Sequence, residues 1–190
     1  MLAKVINKNL KNVEENIKLI KDKKFINLII NTSKQVAKAI KSNKKILFCG
    51  NGGSAADSQH LSAELLGRYL KNRKPYSALD LTSNSATLTA ISNDISFSKV
   101  FERQVEAVGK RGDVLFAITT SGKSKNIIRA IQISKKLGLK TIVLTSNKAK
   151  KLKKYANIFI PCPGSRVDRI QESQKVVGHI ICELVEEILS

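Results

Sequence analysis

The stretch Lys45–Tyr69, KILFCGNGGSAADSQHLSAELLGRY, leaves this chain few folds to choose from. Ile46 to Cys49 is a short apolar run, the pattern of a buried strand. Gly50-Asn51-Gly52-Gly53 then makes a turn, because Gly and Asn reach backbone angles that other residues avoid. Ser54 stands where a helix N-cap belongs. The helix after it sets His60 and Glu64 four residues apart on one face. A glycine turn opening a helix is an anion site, since unpaired backbone N–H groups and the helix dipole face the ligand. One element thus offers an anion cradle and, up to about two and a half turns further along, a His/Glu pair.

From residue 44 onward, strand and helix patterns alternate. The expected strands are Ile46–Cys49, Tyr76–Leu81, Val114–Thr119, Thr141–Thr145 and Ile158–Ile160, with helices near 54–70, 84–92, 97–109, 124–137 and 168–189. Short, apolar, β-branched strands separated by helices predict a five-stranded, mainly parallel sheet with helices on both faces. Such sheets hold ligands beyond the carboxyl ends of their strands, which selects the loops Gly50–Ser54 and Thr119–Ser124. Ahead of this core, residues 2 to about 42 read as two amphipathic helices with apolar stripes at three- and four-residue steps. They are expected to cover the sheet or to pack, in part, on a second subunit.

At 190 residues the chain is expected to form one domain, 1–190, with residues 1–43 as a helical extension and 44–190 as the α/β core. Hydrophobic residues at 42% exclude disorder. Met1 to Asn7 lacks the apolar segment of a leader, and no apolar run approaches the roughly 18 residues of a membrane span. Cys49, Cys162 and Cys182 have no metal-ligand spacing. They read as reduced packing residues in a strand, a loop and a helix of a cytoplasmic protein. The net charge of +19 comes from 34 basic residues against 15 acidic, and 27 of the 34 are lysine, densest at Lys148–Lys154. With aromatics at 5% and no Trp, the pattern lacks the interleaved Arg and aromatics of a nucleic-acid binder. It fits a Lys-rich surface, or a field that draws in an anionic substrate.

The second loop matches the first. Thr119-Thr120-Ser121-Gly122-Lys123-Ser124 places four hydroxyls and a glycine at the start of a helix, a polar cup suited to phosphate. It lacks the spacing of a Walker loop, and the glycines at 50, 52 and 53 lack that of a dinucleotide fingerprint. The final helix carries Gln171 and His179 on broadly one side. His179 sits in an apolar run, where a core histidine is the commoner reading. The chain has only two histidines, however, and a facing helix would bring His179 to His60 and Glu64 as a metal site or an acid/base pair.

Together CGNGGSAADSQHLSAELLGRY (49–69), ISND (91–94), FERQVEAVGKRGDVLFAITTSGKS (101–124), DRIQE (168–172) and GHIICELVE (178–186) resemble the SIS (sugar isomerase) family, and within it the bacterial phosphoheptose isomerases. The resemblance spans nearly the whole chain. It implies a three-layer SIS fold and isomerisation of sedoheptulose 7-phosphate to D-glycero-D-manno-heptose 7-phosphate, the first step toward ADP- or GDP-heptose for surface glycans. It implies that Thr119, Thr120, Ser121 and Ser124 hold the phosphate. Asn51, Gly52, Gly53, Ser54, Glu64, Asn93, Asp94 and Gln171 would contact the sugar. It also implies one zinc per subunit on His60, Glu64, Gln171 and His179, with Glu64 and His179 as acid/base residues. A homotetramer with active sites at subunit interfaces follows from the same likeness, with neither membrane nor nucleic acid as a partner.

Four departures stand out from the usual family pattern. Thr119 replaces a serine, Gln174 a histidine, Asn147–Lys154 a glycine-rich stretch, and Pro163–Asp168 an acidic loop. A related SIS protein without catalysis binds the bacterial replication initiator; that alternative would have no need for Glu64, Gln171 and His179 together.

Overall fold

The computed structural model describes residues 1–190. Five strands form one sheet: β1 (Ile46–Cys49), β2 (Ala78–Asp80), β3 (Val114–Ile118), β4 (Lys140–Ser146) and β5 (Ile158–Cys162). Their order is β2-β1-β3-β4-β5, and every pairing is parallel, not only most of them. The helices are α1 (Leu2–Ile20), α2 (Lys23–Lys41), α3 (Gly53–Leu66), α4 (Ser85–Asp94), α5 (Val100–Val108), α6 (Lys125–Lys136) and α7 (Val167–Leu189).

The side-chain period of two divides the strands between two cores. Ile46, Phe48, Val114, Phe116, Ile142 and Leu144 face a core completed by α2, α3 and α7. Leu47, Cys49, Leu115, Ala117 and Val143 face the other, completed by α5 and α6. Both faces are covered, which is why these strands read as continuous apolar runs instead of alternating ones. The chain leaves β1 toward β2 on one side and reaches β3 on the other, with Cys49 opposite Ala117 at the carboxyl ends. This is the topological switch point where open α/β sheets hold ligands, and the loops after β1 and β3 meet there.

Several boundaries differ from the sequence reading. The strand expected over Tyr76–Leu81 shortens to Ala78–Asp80, an edge strand. Cys162 ends β5 instead of lying in a loop, and Pro161 is tolerated beside it because β5 is the opposite edge. All three cysteines are free and buried. The helix expected at 97–109 begins as a 3-10 turn, Phe97–Lys99, before α5. Asn147–Lys154 forms two short 3-10 turns separated by a kink at Ala149, burying Ala149 and Leu152 and exposing its lysines.

The N-terminal helices split in role. Asp22 caps α2, accepting from the N–H groups of Lys24 and Phe25. That helix buries Ile29, Val36 and Ala39. Only Asn16 and Ile20 of α1 are buried, and Leu2, Val5, Ile6 and Leu10 are exposed. No helix is long and apolar enough to cross a membrane.

Candidate active site

The turn after β1 is held by close approaches. A Cβ on Gly50 would lie 2.2 Å from the Ser54 carbonyl oxygen. Gly52 has φ +57° and, in place of the expected Ser54, is the residue flanking the helix start. The helix begins one residue earlier, at Gly53, so Ser54 is buried in its first turn and its carbonyl accepts from the Ser58 hydroxyl. Asn51 exchanges two amide hydrogen bonds of 2.9 Å with Asn126 in the first turn of α6. This reciprocal pair fixes the two loops to each other. Asn126 was not legible as a site residue, since nothing local marks a partner so distant in sequence.

In the second loop, the Thr119 hydroxyl accepts from the Gly122 N–H, and Gly122 itself has φ +64°. The Ser121 hydroxyl accepts from the Lys123 N–H, and the Thr120 carbonyl accepts from the Ser146 hydroxyl at 2.7 Å. Ser124 flanks α6 but makes no side-chain capping bond, leaving its hydroxyl free at a helix N-terminus. Gln174, where the usual pattern has histidine, is fully buried. Its Nε2 donates to the carbonyls of Leu144 (3.1 Å) and Thr119 (3.4 Å), and its Oε1 has no protein partner. The substitution thus ties α7 to the cup with an amide.

His60, Glu64 and His179 converge. His60 Nε2 lies 3.1 Å from Glu64 Oε1 and 2.8 Å from His179 Nε2. Donor atoms of all three fall within 4.8 Å of one another. At that spacing the two imidazoles suit one proton between them, not two. Burial lowers the His179 pKa and His60 lowers it further, against the opposing pull of Glu64. A neutral imidazole is the form that binds a metal or accepts a proton. The Tyr69 ring stacks on His179, centroids 5.7 Å apart at 17°. Two imidazole nitrogens and a carboxylate are donors that zinc accepts, so these side chains fit such an ion.

Gln171 packs its amide on Gly53: a Cβ there would lie 2.3 Å from Gln171 Nε2. Both line a groove of about 340 Å³ with Asp57, Asp168, Glu172 and Lys175. Asn93 and Asp94 are not brought into this assembly. They end α4, exposed, where Asn93 Nδ2 donates to Asp94 Oδ1 at 2.8 Å. Neither side chain hydrogen-bonds to the turn, the cup or the cluster.

A parallel α/β sheet with two polar cups at its switch point, and a His/Glu/His cluster further along α3 and α7, defines a class of small-molecule enzyme that handles anionic ligands. The family model described as "SIS domain" matches residues 9–146. A phosphoheptose isomerase of Akkermansia muciniphila is 48% identical over 147 residues, 77% of this chain and 78% of its own. That of Clostridium acetobutylicum is 43% identical over 177 residues, 93% and 90% of the two chains. The solved structure of a Francisella tularensis phosphoheptose isomerase superposes with TM-score 0.93 at 30% identity, covering 98% of this chain and 99% of that one. The chain belongs to the SIS family, among its phosphoheptose isomerases.

Proposed function

We propose that this chain interconverts sedoheptulose 7-phosphate and D-glycero-D-manno-heptose 7-phosphate. The convergence of His60 and Glu64 on α3 with His179 on α7 carries that reading. Moving a proton between C1 and C2 of a ketose passes through an enediol or enediolate, which needs a base at the C–H and an acid at the oxygens. Glu64 takes the base role. His179, held neutral, receives and returns a proton at the oxygens or assists ring opening. Thr119, Thr120, Ser121 and Ser124 bind the phosphate with the N-terminus of α6. Asn51, Gly52, Gly53, Ser54 and Gln171 orient the chain of hydroxyls.

Zinc would be held by His60, Glu64, Gln171 and His179, and when bound it would supply a Lewis acid for the carbonyl. A carboxylate bound to metal is a weaker base, so Glu64 does not fill both roles at one instant. The exposed apolar face of α1 supports assembly into an oligomer, the tetramer of the resemblance. The initiator-binding alternative gains no support from the relatives named above.

The test is turnover of sedoheptulose 7-phosphate by the purified protein, before and after chelation and with zinc restored. Heptose 7-phosphate is expected to form, and zinc is expected to restore what chelation removes. Glu64→Gln lowers kcat at least a hundredfold. Absence of product under every metal, or full turnover by Glu64→Gln, would overturn the reading.

A further inference from the structure

We propose that the segment 67–76, pinned by a buried Arg73–Glu186 pair, is the positioning device that sets Glu64 and His179 against each other. The inference rests on the roles just given to those two residues. The last turn of α3 leaves carbonyls with no intrahelical N–H partner, and Arg73 caps them from outside the helix. One terminal nitrogen donates to the Glu64 carbonyl at 2.8 Å. The other donates to Leu65 (3.0 Å), Gly67 (3.2 Å) and Lys74 (3.1 Å). Its Nε donates to Glu186 Oε1 at 2.7 Å, and the guanidinium lies 3.9 Å from the centre of the Tyr76 ring.

Glu186 works in the other direction. It is 1% exposed and accepts from the backbone N–H groups of Tyr69 (2.9 Å), Leu70 (2.9 Å) and Lys71 (3.0 Å). Those bonds hold Tyr69 where its ring stacks on His179. Glu186 also lies on α7, two turns beyond His179. One ion pair therefore reaches Glu64 through the end of α3 and His179 through Tyr69. A planar guanidinium can serve four carbonyls and a carboxylate together; an ammonium cannot.

The experiment measures kcat, KM for sedoheptulose 7-phosphate, zinc affinity by chelator competition, and Tm. It compares Arg73→Lys, Tyr69→Leu and Tyr69→Phe. Arg73→Lys and Tyr69→Leu are expected to lower kcat about tenfold or more, with KM within about twofold, since the phosphate cup is untouched. Zinc binding should weaken about tenfold. Tyr69→Phe keeps the ring face and should match the parent. If Arg73→Lys and Tyr69→Leu only lower Tm, with kcat per folded molecule and zinc affinity unchanged, the segment is merely structural and the proposal fails. Tyr69→Leu leaves the ion pair intact, so it decides the matter even where Arg73→Lys folds poorly. Glu64→Gln is the control: full turnover there would sink the reading of the site. The zinc titration of Arg73→Lys tests the segment without turnover.

Discussion

Gly50 and Gly53 look alike in the sequence but face different obstacles. A methyl on Gly50 would meet the backbone of Ser54, with the carbonyl oxygen at 2.2 Å, and backbone cannot step aside. A methyl on Gly53 would meet the amide end of Gln171, the tip of a flexible side chain. Gly50→Ala should therefore cost about 1–3 kcal/mol of stability. Gly53→Ala should leave stability within about 1 kcal/mol, because alanine also favours the helix. Turnover should reverse the order per folded molecule, since Gly53→Ala displaces Gln171 from the groove and lowers kcat/KM several-fold. Thermal unfolding and steady-state kinetics on the two variants check both halves. The glycine pattern announced a tight turn, but the contact with Gln171 was not legible, because the two meet only when α3 and α7 pack. Gln174 is similar: the sequence marked it as a departure, and only the fold shows its amide reaching the Thr119 carbonyl.

At the scale of elements, periodicity and strand composition placed the helices and the sheet, and the carboxyl-end rule selected both ligand loops. What stayed hidden were the ties between elements, such as Asn51 to Asn126 and Arg73 to Glu186. Such pairs leave no local pattern. Glu186 shows how much such a tie can matter. Burial pushes its pKa up, but the N–H groups of Tyr69, Leu70 and Lys71 and the Arg73 side chain outweigh that and hold it at about 2. A carboxylate depressed from its ordinary 4.5 contributes stability that is present above that value. The contribution is lost as pH falls from about 4.5 toward about 2. Glu186→Gln should be ~3–5 kcal/mol less stable near neutrality, because it breaks a buried pair. Denaturant midpoints measured down the pH scale should converge for parent and variant in acid. Parallel curves would mean that Glu186 is not ionised in the folded protein.

Across the whole molecule, a charge of +19 makes copies of the chain repel, so apolar surface is the expected driver of any assembly. The exposed stripe of Leu2, Val5, Ile6 and Leu10 on α1 is such a surface, and Lys4, Lys8 and Lys11 flank it. Covering an apolar side chain of this size is worth ~1.5–3 kcal/mol. Replacing both Ile6 and Leu10 by Asp should then weaken association at least about a hundredfold. The fold of each chain should survive, because both side chains are largely exposed within it. Sedimentation velocity should show a smaller species for the double variant, with far-ultraviolet dichroism matching the parent. Salt supplies the second arm. Screening the flanking lysines should strengthen association of the parent as ionic strength rises from about 0.01 to 0.5 M, because the Debye length falls from about 30 Å to a few ångströms. A parent that dissociates in salt would be held together by ion pairs instead. A double variant that sediments with the parent would place the contact on some face other than α1.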